Sequence, residues 1–242
     1  MKIIYPDCIT SVTANHYDPA YPAANLLDNH PQKAWKAGTG ETTAVLTVVT
    51  NGGYVSGLCL AGTNALSGTV AVKDTSEVTT FETQSISGTW GRFFVKFNTT
   101  YAVPLHIIVS LTAPVEVYAG VCRCGTFILF NDPLRDPTQQ RKDYSIKKDL
   151  SNGGLNIILR NIPREYTLSF TTPGIQYDLI DNLYLANGSF PLAVLISDNM
   201  YLASLGDQWS GFFHIVDPPA GKHGTGLASR LTSWSITIKE AI

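Results

Sequence analysis

Charged side chains are scarce in this chain. Asp, Glu, Lys and Arg together make up 15% of its 242 residues, whereas an average soluble domain contains roughly 25%. Two interpretations fit this deficit: an all-β protein covered by Thr, Ser, Asn and Gly, or a protein whose surface is buried against fixed neighbours, where charges are depleted. The formal net charge of −2 and the lack of a polybasic stretch exclude strong attraction to nucleic acid or to a membrane surface.

The sequence also lacks a long apolar segment. Pro6 and Asp7 interrupt the N-terminus before the apolar region of a signal peptide could form. No later apolar run approaches the roughly 20 residues that a membrane span requires. Because 44% of the residues are hydrophobic, the chain still has enough apolar surface to fold. We therefore expect a folded, soluble protein that is made in the cytoplasm.

The four cysteines lack the spacing of a disulfide framework or of a zinc ribbon. Cys8 and Cys59 are isolated, and Cys122 and Cys124 flank Arg123. On a strand, Cys122 and Cys124 would point to one face and Arg123 to the other. The pattern predicts buried free thiols, as in proteins that fold in a reducing compartment.

Motifs for catalysis and for cofactor binding are absent from the sequence. It contains no Gly-x-Ser-x-Gly elbow and no Walker loop. The five histidines have no metal-binding spacing, and the few glutamates do not cluster as a catalytic pair. We expect a non-enzymatic protein without a cofactor or metal; a hydrolase whose acids meet only in the folded chain stays open as a weaker alternative.

Short β-branched or aromatic runs, separated by turn residues, predict a mostly β protein. Within Arg92–Asn98, for example, Phe93, Val95 and Phe97 alternate with a mostly polar face. The other predicted strands are Ala44–Thr50, Tyr54–Leu60, Thr69–Lys73, Leu105–Ser110, Val115–Val121, Thr126–Phe130, Lys142–Ile146, Leu155–Asn161, Tyr166–Thr171, Leu192–Ser197, Phe212–Val216 and Leu231–Lys239.

One helix is predicted near residues 173–187. Thr172 is placed to act as its N-cap, Pro173 as its first residue and Gly188 as its C-terminal stop. A shorter helical turn is predicted over Ala23–Asp28. We place a domain boundary in the Gly-rich junction after residue 121, which gives two β-sandwich-type domains, 1–121 and 122–242.

The segment YPAANLLDN at Tyr21–Asn29, with Trp35 after it, resembles the opening of discoidin-like, galactose-binding-type jelly rolls. Tyr54–Asn64 is similar to a later strand and turn of those domains. The resemblance covers roughly residues 5–120 and implies a jelly-roll β-sandwich for the first domain. In such a domain Asn25 would close a short turn and Trp35 would fill the sandwich before the first long strand.

The whole chain is similar to tail proteins of long-tailed bacteriophages, in which a jelly roll of this sort is joined to a second β domain. This resemblance rests on the Asn25–Trp35 segment, the Gly120–Gly125 junction and the amphipathic strand Leu231–Lys239. It implies a virion subunit of the tail tip or baseplate that forms a trimeric or hexameric ring or collar with other tail proteins. The domain order differs from that of familiar distal tail proteins, which leaves the position in the tail open.

The alternative function is a carbohydrate-binding module that attaches to a glycan of the host surface. Sugar binding needs exposed aromatic rings beside polar side chains, and the candidates are Trp35, Trp90, Arg92 and the loop of Tyr17 and Tyr21. Trp209 and Phe212, in the segment WSGFF, are candidates for a contact between subunits. For each of these aromatic residues, burial in an ordinary core is the competing interpretation.

Overall fold

The protein was analysed as a computed structural model. It describes residues 1–88, 91–131, 138–141, 143, 145–149, 155–158, 162–173, 177–187, 190–196, 210–223 and 231–241. The strands of the first half are β1 (Lys2–Asp7), β2 (Ile9–Ala14), β3 (Trp35–Lys36), β4 (Thr43–Thr50), β5 (Val55–Ala61), β6 (Ser67–Lys73), β7 (Thr80–Ser87), β8 (Arg92–Tyr101), β9 (His106–Thr112), β10 (Tyr118–Ala119) and β11 (Val121–Leu129). A 3-10 helix spans Ala23–Leu27.

The second half begins with short strands and contains one described α-helix. Its elements are β12 (Thr138–Arg141), β13 (Ile146–Asp149), β14 (Leu155–Ile158), β15 (Arg164–Pro173), α1 (Tyr177–Asn187), β16 (Leu192–Leu195), β17 (Ser210–Ile215), β18 (Ala220–His223) and β19 (Leu231–Glu240). The chain divides into an N-terminal unit, Met1–Asp132 with Pro191–Phe212, and a C-terminal unit, Pro133–Phe190 with Phe213–Ile242. The predicted boundary after residue 121 falls at the start of β11.

The N-terminal unit is a sandwich of two antiparallel sheets. One sheet has the order β16-β1-β11-β5-β8 and the other the order β2-β4-β9-β6-β7. Buried and partly exposed residues alternate along β4 and β9, as the pleat of a half-buried strand requires. The buried faces of both sheets form one hydrophobic core that includes Leu46, Leu58 and Ile107. The predicted inward residues Phe93, Val95 and Phe97 are in this core.

Strand β5 and the first five residues of β11 are buried on both faces, except for the partly exposed Ser56. Cys122 and Cys124 point into the core, as predicted from their spacing. Arg123 and Cys59 are opposite each other on the outer face and are buried there as well. Because Arg123 and Cys59 are buried, other parts of the unit must cover the outer face of these two neighbouring strands.

In the C-terminal unit, β15 lies between β12 and β19. β19 also pairs with β18 and with the last three residues of β17, and β13 and β14 form a separate hairpin. Tyr166 and Phe213 are fully buried and meet edge to face, with ring centroids 5.6 Å apart. α1 buries Ile180 and Leu183. The predicted class, mostly β with a sandwich first and one helix in the second half, is therefore confirmed.

The predicted start of the helix is wrong. Thr172 and Pro173 are the last residues of β15, and α1 begins at Tyr177. Thr172 is fully buried opposite Thr232, and its hydroxyl accepts a 2.8 Å hydrogen bond from the indole N–H of Trp234. These contacts hold it in the sheet, and the missing N–H of Pro173 is tolerated at a strand end.

Several strand predictions also need correction. The run Val115–Val121 is not one strand, because β10 ends at Ala119 and β11 starts at Val121. β11 instead continues through most of the predicted strand Thr126–Phe130. Strands β1, β2, β3, β7, β12 and β18 were not predicted, and β13 shares only Ile146 with the predicted strand Lys142–Ile146. Residues 142, 144, 159–161, 174–176, 188 and 197, which belong to predicted elements, lie outside the described residues.

The four cysteines are free and buried, which confirms that prediction. Burial raises the pKa of the Cys59 thiol to about 12 and also raises the pKa of Cys122 and Cys124. A raised pKa means that the folded protein keeps the thiol protonated at a pH where an exposed thiol would ionise.

We expect these thiols to be inert in the folded protein. At about pH 8, close to the usual thiol pKa, Ellman's reagent should leave the native chain unmodified, whereas the chain in denaturant should react at all four cysteines. Rapid reaction of the native protein would contradict the buried arrangement.

Candidate functional cleft

The loops of the N-terminal sandwich gather at its two ends. Lys2 pairs with Leu129, and Val121 pairs with Ala61. The start of β1 and the end of β11 therefore lie at one end of the sandwich, and the end of β5 lies at the other. The starts of β4 and β6 and the end of β9 meet at that second end. We call this second end the cleft end, because an open cleft lies among its loops.

The cleft has a volume of about 590 Å³. One wall is the segment before and within β3, and the other is the segment that leads into β10. The residues that line it are Pro31, Gln32, Ala34, Lys36, Gly62, Val115, Glu116 and Tyr118. The lining thus combines an aromatic ring and aliphatic surface with a few polar groups, which is the usual composition of a small-molecule site.

Pairing of β3 with β10 places Lys36 directly opposite Tyr118. The backbone N–H of Lys36 donates to the Tyr21 carbonyl at 3.2 Å, and its carbonyl accepts from the Asp18 N–H at 3.0 Å. Since both backbone groups of Lys36 are used by the 18–21 loop, Lys36 and Tyr118 form a non-hydrogen-bonded pair, whose side chains approach closely. The Lys36 ammonium lies 4.1 Å from the centroid of the Tyr21 ring, a cation–π contact that orients both side chains.

Asn64 fixes the wall that carries Glu116 and Tyr118. Its side-chain amide donates to the Glu116 carbonyl at 2.7 Å, and its side-chain oxygen accepts from the Tyr118 N–H at 2.9 Å. The neighbouring Thr63 hydroxyl donates to the Tyr118 carbonyl at 2.7 Å. Three backbone groups of this short segment are therefore held by two side chains, so the wall is ordered without a ligand.

Two glycines allow the walls to come together. Gly62 has a φ of +67°, a conformation that other residues rarely adopt. At Gly120 an added Cβ would be 2.4 Å from the Pro31 carbonyl oxygen. A side chain at Gly120 would therefore displace the wall that contains Pro31.

Arg123 fixes the wall that contains Pro31 through contacts with the residues just before it. Its guanidinium donates to the carbonyls of Cys122 at 2.7 Å and Asp28 at 3.1 Å, and to the Asn29 side-chain oxygen at 2.8 Å. A longer contact of 3.4 Å reaches the Leu26 carbonyl. The carbonyls of Leu26 and Asp28 lie at the end of the 3-10 helix, where carbonyls lack partners within the helix. One buried cation thus fixes the segment that leads directly into Pro31 and Gln32.

Asp7 completes this arrangement on the other side of Arg123. One carboxylate oxygen accepts from the Cys124 N–H at 3.1 Å, and the other lies 3.6 Å from the Arg123 Nε. Loss of solvent raises the pKa of the Asp7 carboxyl, although the hydrogen bond from Cys124 and the charge of Arg123 oppose this shift. The ion pair therefore offsets only part of the cost of desolvating this carboxyl, whose side chain stays 35% exposed.

Three residues that were predicted as ligand or interface residues are buried instead. Trp35 is fully buried in the core, where its indole N–H donates to the His16 carbonyl at 3.3 Å. Arg92 donates to the Ser210 carbonyl, and the buried ring of Phe212 lies 5.0 Å from the Arg123 guanidinium carbon. They are packing residues of the N-terminal unit, because no ligand in solution could contact them.

The other predicted residues differ in position. Tyr21 is 38% exposed at the cleft end, and its ring contacts Lys36. Tyr17 is in the same loop and is more exposed. Trp90 and Trp209 lie outside the described residues. Tyr21 is thus the described candidate whose side chain contacts the side chain of a cleft-lining residue.

Sequence reasoning missed Lys36, Asn64, Glu116 and Tyr118. The first two lie within segments that carried the resemblance, but nothing in the sequence marked their side chains. Their proximity depends on the pairing of two-residue strands that are distant in the chain. The one usable signal was the position of Lys36 directly after a buried Trp, since neighbours on a strand point to opposite faces.

No group of three or more His, Cys, Asp or Glu is placed to hold a metal ion within the described part of the chain. No described helix is both long and apolar enough to cross a membrane.

No protein-family profile and no curated protein match this chain. Among solved structures, chitosan-binding module 1 of a chitosanase/glucanase from Paenibacillus sp. IK-5 is 17% identical, with a TM-score of 0.41, over 50% of this chain and 97% of its own. A fucose-binding module from Streptococcus pneumoniae is 8% identical, with a TM-score of 0.41, over 50% and 98%. An F5/8 type C domain from Bacteroides fragilis is 13% identical, with a TM-score of 0.38, over 47% and 89%.

These neighbours are discoidin-like, galactose-binding-type jelly-roll domains, the kind of domain predicted for residues 1–121.

Replacing Arg123 by Met should strongly destabilise the N-terminal unit. The variant keeps most of the side-chain volume but leaves several carbonyls and Asp7 without their donor. Leaving a buried hydrogen-bonding group without its partner typically costs about 1–3 kcal/mol of unfolding free energy, which denaturant titration followed by circular dichroism would measure. Lys96→Met on the exposed side of β8 is the control, with an expected change within about 0.5 kcal/mol. Equal stability of the two variants would show that Arg123 does not anchor this wall.

Proposed function

We propose that the N-terminal unit binds a glycan in the cleft lined by Lys36, Glu116 and Tyr118, without converting it chemically. The observation that carries the proposal is the half-exposed Tyr118 ring, 39% exposed, in an open cleft beside an ammonium and a carboxylate. A pyranose ring presents C–H groups on its faces, which stack on an aromatic ring, and hydroxyls on its rim, which need polar partners. The cleft offers both kinds of partner side by side.

Preorganisation of the cleft supports the same proposal. Asn64 and Thr63 hold the segment that carries Tyr118, and Arg123 holds the opposite wall. A ligand that meets walls already in place loses less free energy to the ordering of the protein. Sugars need this help, because much of their hydroxyl hydration is exchanged for hydrogen bonds of similar strength.

The composition of the cleft favours binding over catalysis. Glycosidases generally use two carboxyl groups on either side of the scissile bond. Of the residues that line this cleft, one, Glu116, is a carboxylate. The non-enzymatic function expected from the sequence is therefore kept as part of the proposal.

Replacing Tyr118 by Ala should weaken glycan binding about tenfold or more, equivalent to about 1.4 kcal/mol, because the stacking surface is lost. A glycan array on the purified full chain would identify the ligand, and isothermal titration would measure its affinity. Phe81→Ala is the matched control, since Phe81 is an exposed aromatic residue on β7, outside the lining of the cleft. Equal effects of the two substitutions, or no glycan bound at all, would refute the proposed site.

A second candidate function, the tail-tip or baseplate subunit expected from the sequence, is favoured by a different observation. Three loops at the end opposite the cleft carry exposed apolar side chains: Tyr54 at 66%, Val78 at 83% and Val103 at 49% exposure. Exposed apolar residues on neighbouring loops are typical of protein–protein contact sites. A subunit held in a ring through that end would leave the cleft end open to a glycan of the host surface.

This second function predicts a trimer or hexamer of the purified chain by light scattering, and label on the tail when particles are imaged with a specific antibody. Val78→Lys should reduce the mass to that of a monomer, because a charge would be buried in the contact. Leu66→Lys, which changes an exposed apolar residue at the cleft end, should leave the mass unchanged. A wild-type monomer that is absent from particles would contradict the tail function while leaving the glycan site untouched.

A further inference from the structure

Two opposite charges line the cleft without pairing to each other. The Lys36 ammonium contacts the Tyr21 ring and makes no hydrogen bond or ion pair with any described residue. The Glu116 carboxylate likewise has no partner among the described residues, although its backbone carbonyl is held by Asn64. Both groups therefore keep their capacity to bind a ligand.

The neighbouring charges on this wall are already paired. The Lys33 ammonium, in the same loop as Gln32, lies 2.8 Å from an Asp28 carboxylate oxygen. The remaining polar side chains of the lining, Gln32 and Tyr118, are uncharged at neutral pH. The formal charge of the lining is thus the sum of one ammonium and one carboxylate, which is zero.

The hydrogen-bonding chemistry of the two charged groups is complementary. An ammonium only donates hydrogen bonds and a carboxylate only accepts them. A hydroxyl does both, so a ligand with several hydroxyls satisfies Lys36 and Glu116 at once. An acidic ligand would satisfy Lys36 but bring a like charge to Glu116, and an amine would satisfy Glu116 but bring a like charge to Lys36.

We infer that the cleft selects uncharged glycans, with hydroxyls that accept from Lys36 and donate to Glu116, and disfavours both acidic and amino sugars. This inference rests on the proposed glycan-binding function and names its ligand class. The selectivity comes from repulsion as much as from attraction, since each charged group excludes one class of charged sugar.

Matched glycan pairs test the inference directly on the purified full chain. Suitable pairs are the chitin tetramer against its deacetylated form, lactose against sialyllactose, and methyl-esterified against free oligogalacturonate, placed on one array with other uncharged glycans. Wherever binding is detected, the uncharged member should bind about tenfold tighter or more. A charged member that binds as tightly as its uncharged parent would overturn the inference, whereas no binding that depends on Tyr118 would overturn the proposed function itself.

Charge-neutralising variants assign the selectivity to the two residues. Glu116→Gln should raise the affinity for acidic relative to uncharged glycans about tenfold, and Lys36→Gln should do the same for amino sugars. Lys33→Gln is the matched control, because it removes a charge from the same loop outside the lining and should leave both ratios unchanged. The ratio is measured within one variant, so a loss of stability does not alter it. Unchanged ratios in Glu116→Gln and Lys36→Gln would show that other groups set the specificity.

Discussion

The N-terminal unit depends on the hydrogen bonds and the ion pair of the Arg123 guanidinium. The guanidinium lies on the outer face of a sheet whose inner face forms the core, and it is buried there. Its donors are used by carbonyls at the end of the 3-10 helix, by the Asn29 side chain and by Asp7. An arginine suits this position because its planar group offers five donors in fixed directions, whereas a lysine would offer three from a single point. One side chain thereby joins the first strand, the helical turn and the wall of the cleft.

The same burial explains the chemistry of the neighbouring cysteines. A sheet covered on both faces excludes water from β5 and β11, so the Cys59 thiol stays protonated even with Arg92 and Arg123 nearby. Burial raises the pKa of this thiol by more than the two positive charges lower it. The buried interior and the open cleft are built from consecutive segments of the chain. A single residue, Gly120, separates β10, which carries Tyr118, from β11.

Local patterns in the sequence were enough to predict much of the fold. The alternation of Phe93, Val95 and Phe97 predicted the inner face of β8, and the spacing of Cys122 and Cys124 predicted their shared burial. The turn around Asn25 was predicted as well, and its side chain donates to the Ala34 carbonyl at 3.0 Å. These successes share a cause: each pattern is set within a few residues by the geometry of the backbone.

Features that depend on distant pairing could not be predicted in this way. β1 is short, contains Pro6 and finds its partners in β11 and β16, far along the chain. Trp35, Arg92 and Phe212 are residue types suited equally to a core and to a binding surface, and only the folded sheets decide between them. Lys36 and Tyr118 become neighbours through a pairing of two residues on each side. A ligand site assembled from loops therefore leaves little trace in a single sequence.

The selectivity that we infer for the cleft depends on the scarcity of charge in the rest of the chain. Only 15% of the residues are charged, and two of them with opposite sign, Lys36 and Glu116, line one cleft without a charged partner among the described residues. An isolated lysine there would act as a general anion site, and an isolated glutamate as a general cation site. Together they exclude both kinds of ion and retain an affinity for groups that donate and accept at once. Low charge over the rest of the protein strengthens this effect, because no wider electrostatic field attracts charged ligands to the cleft.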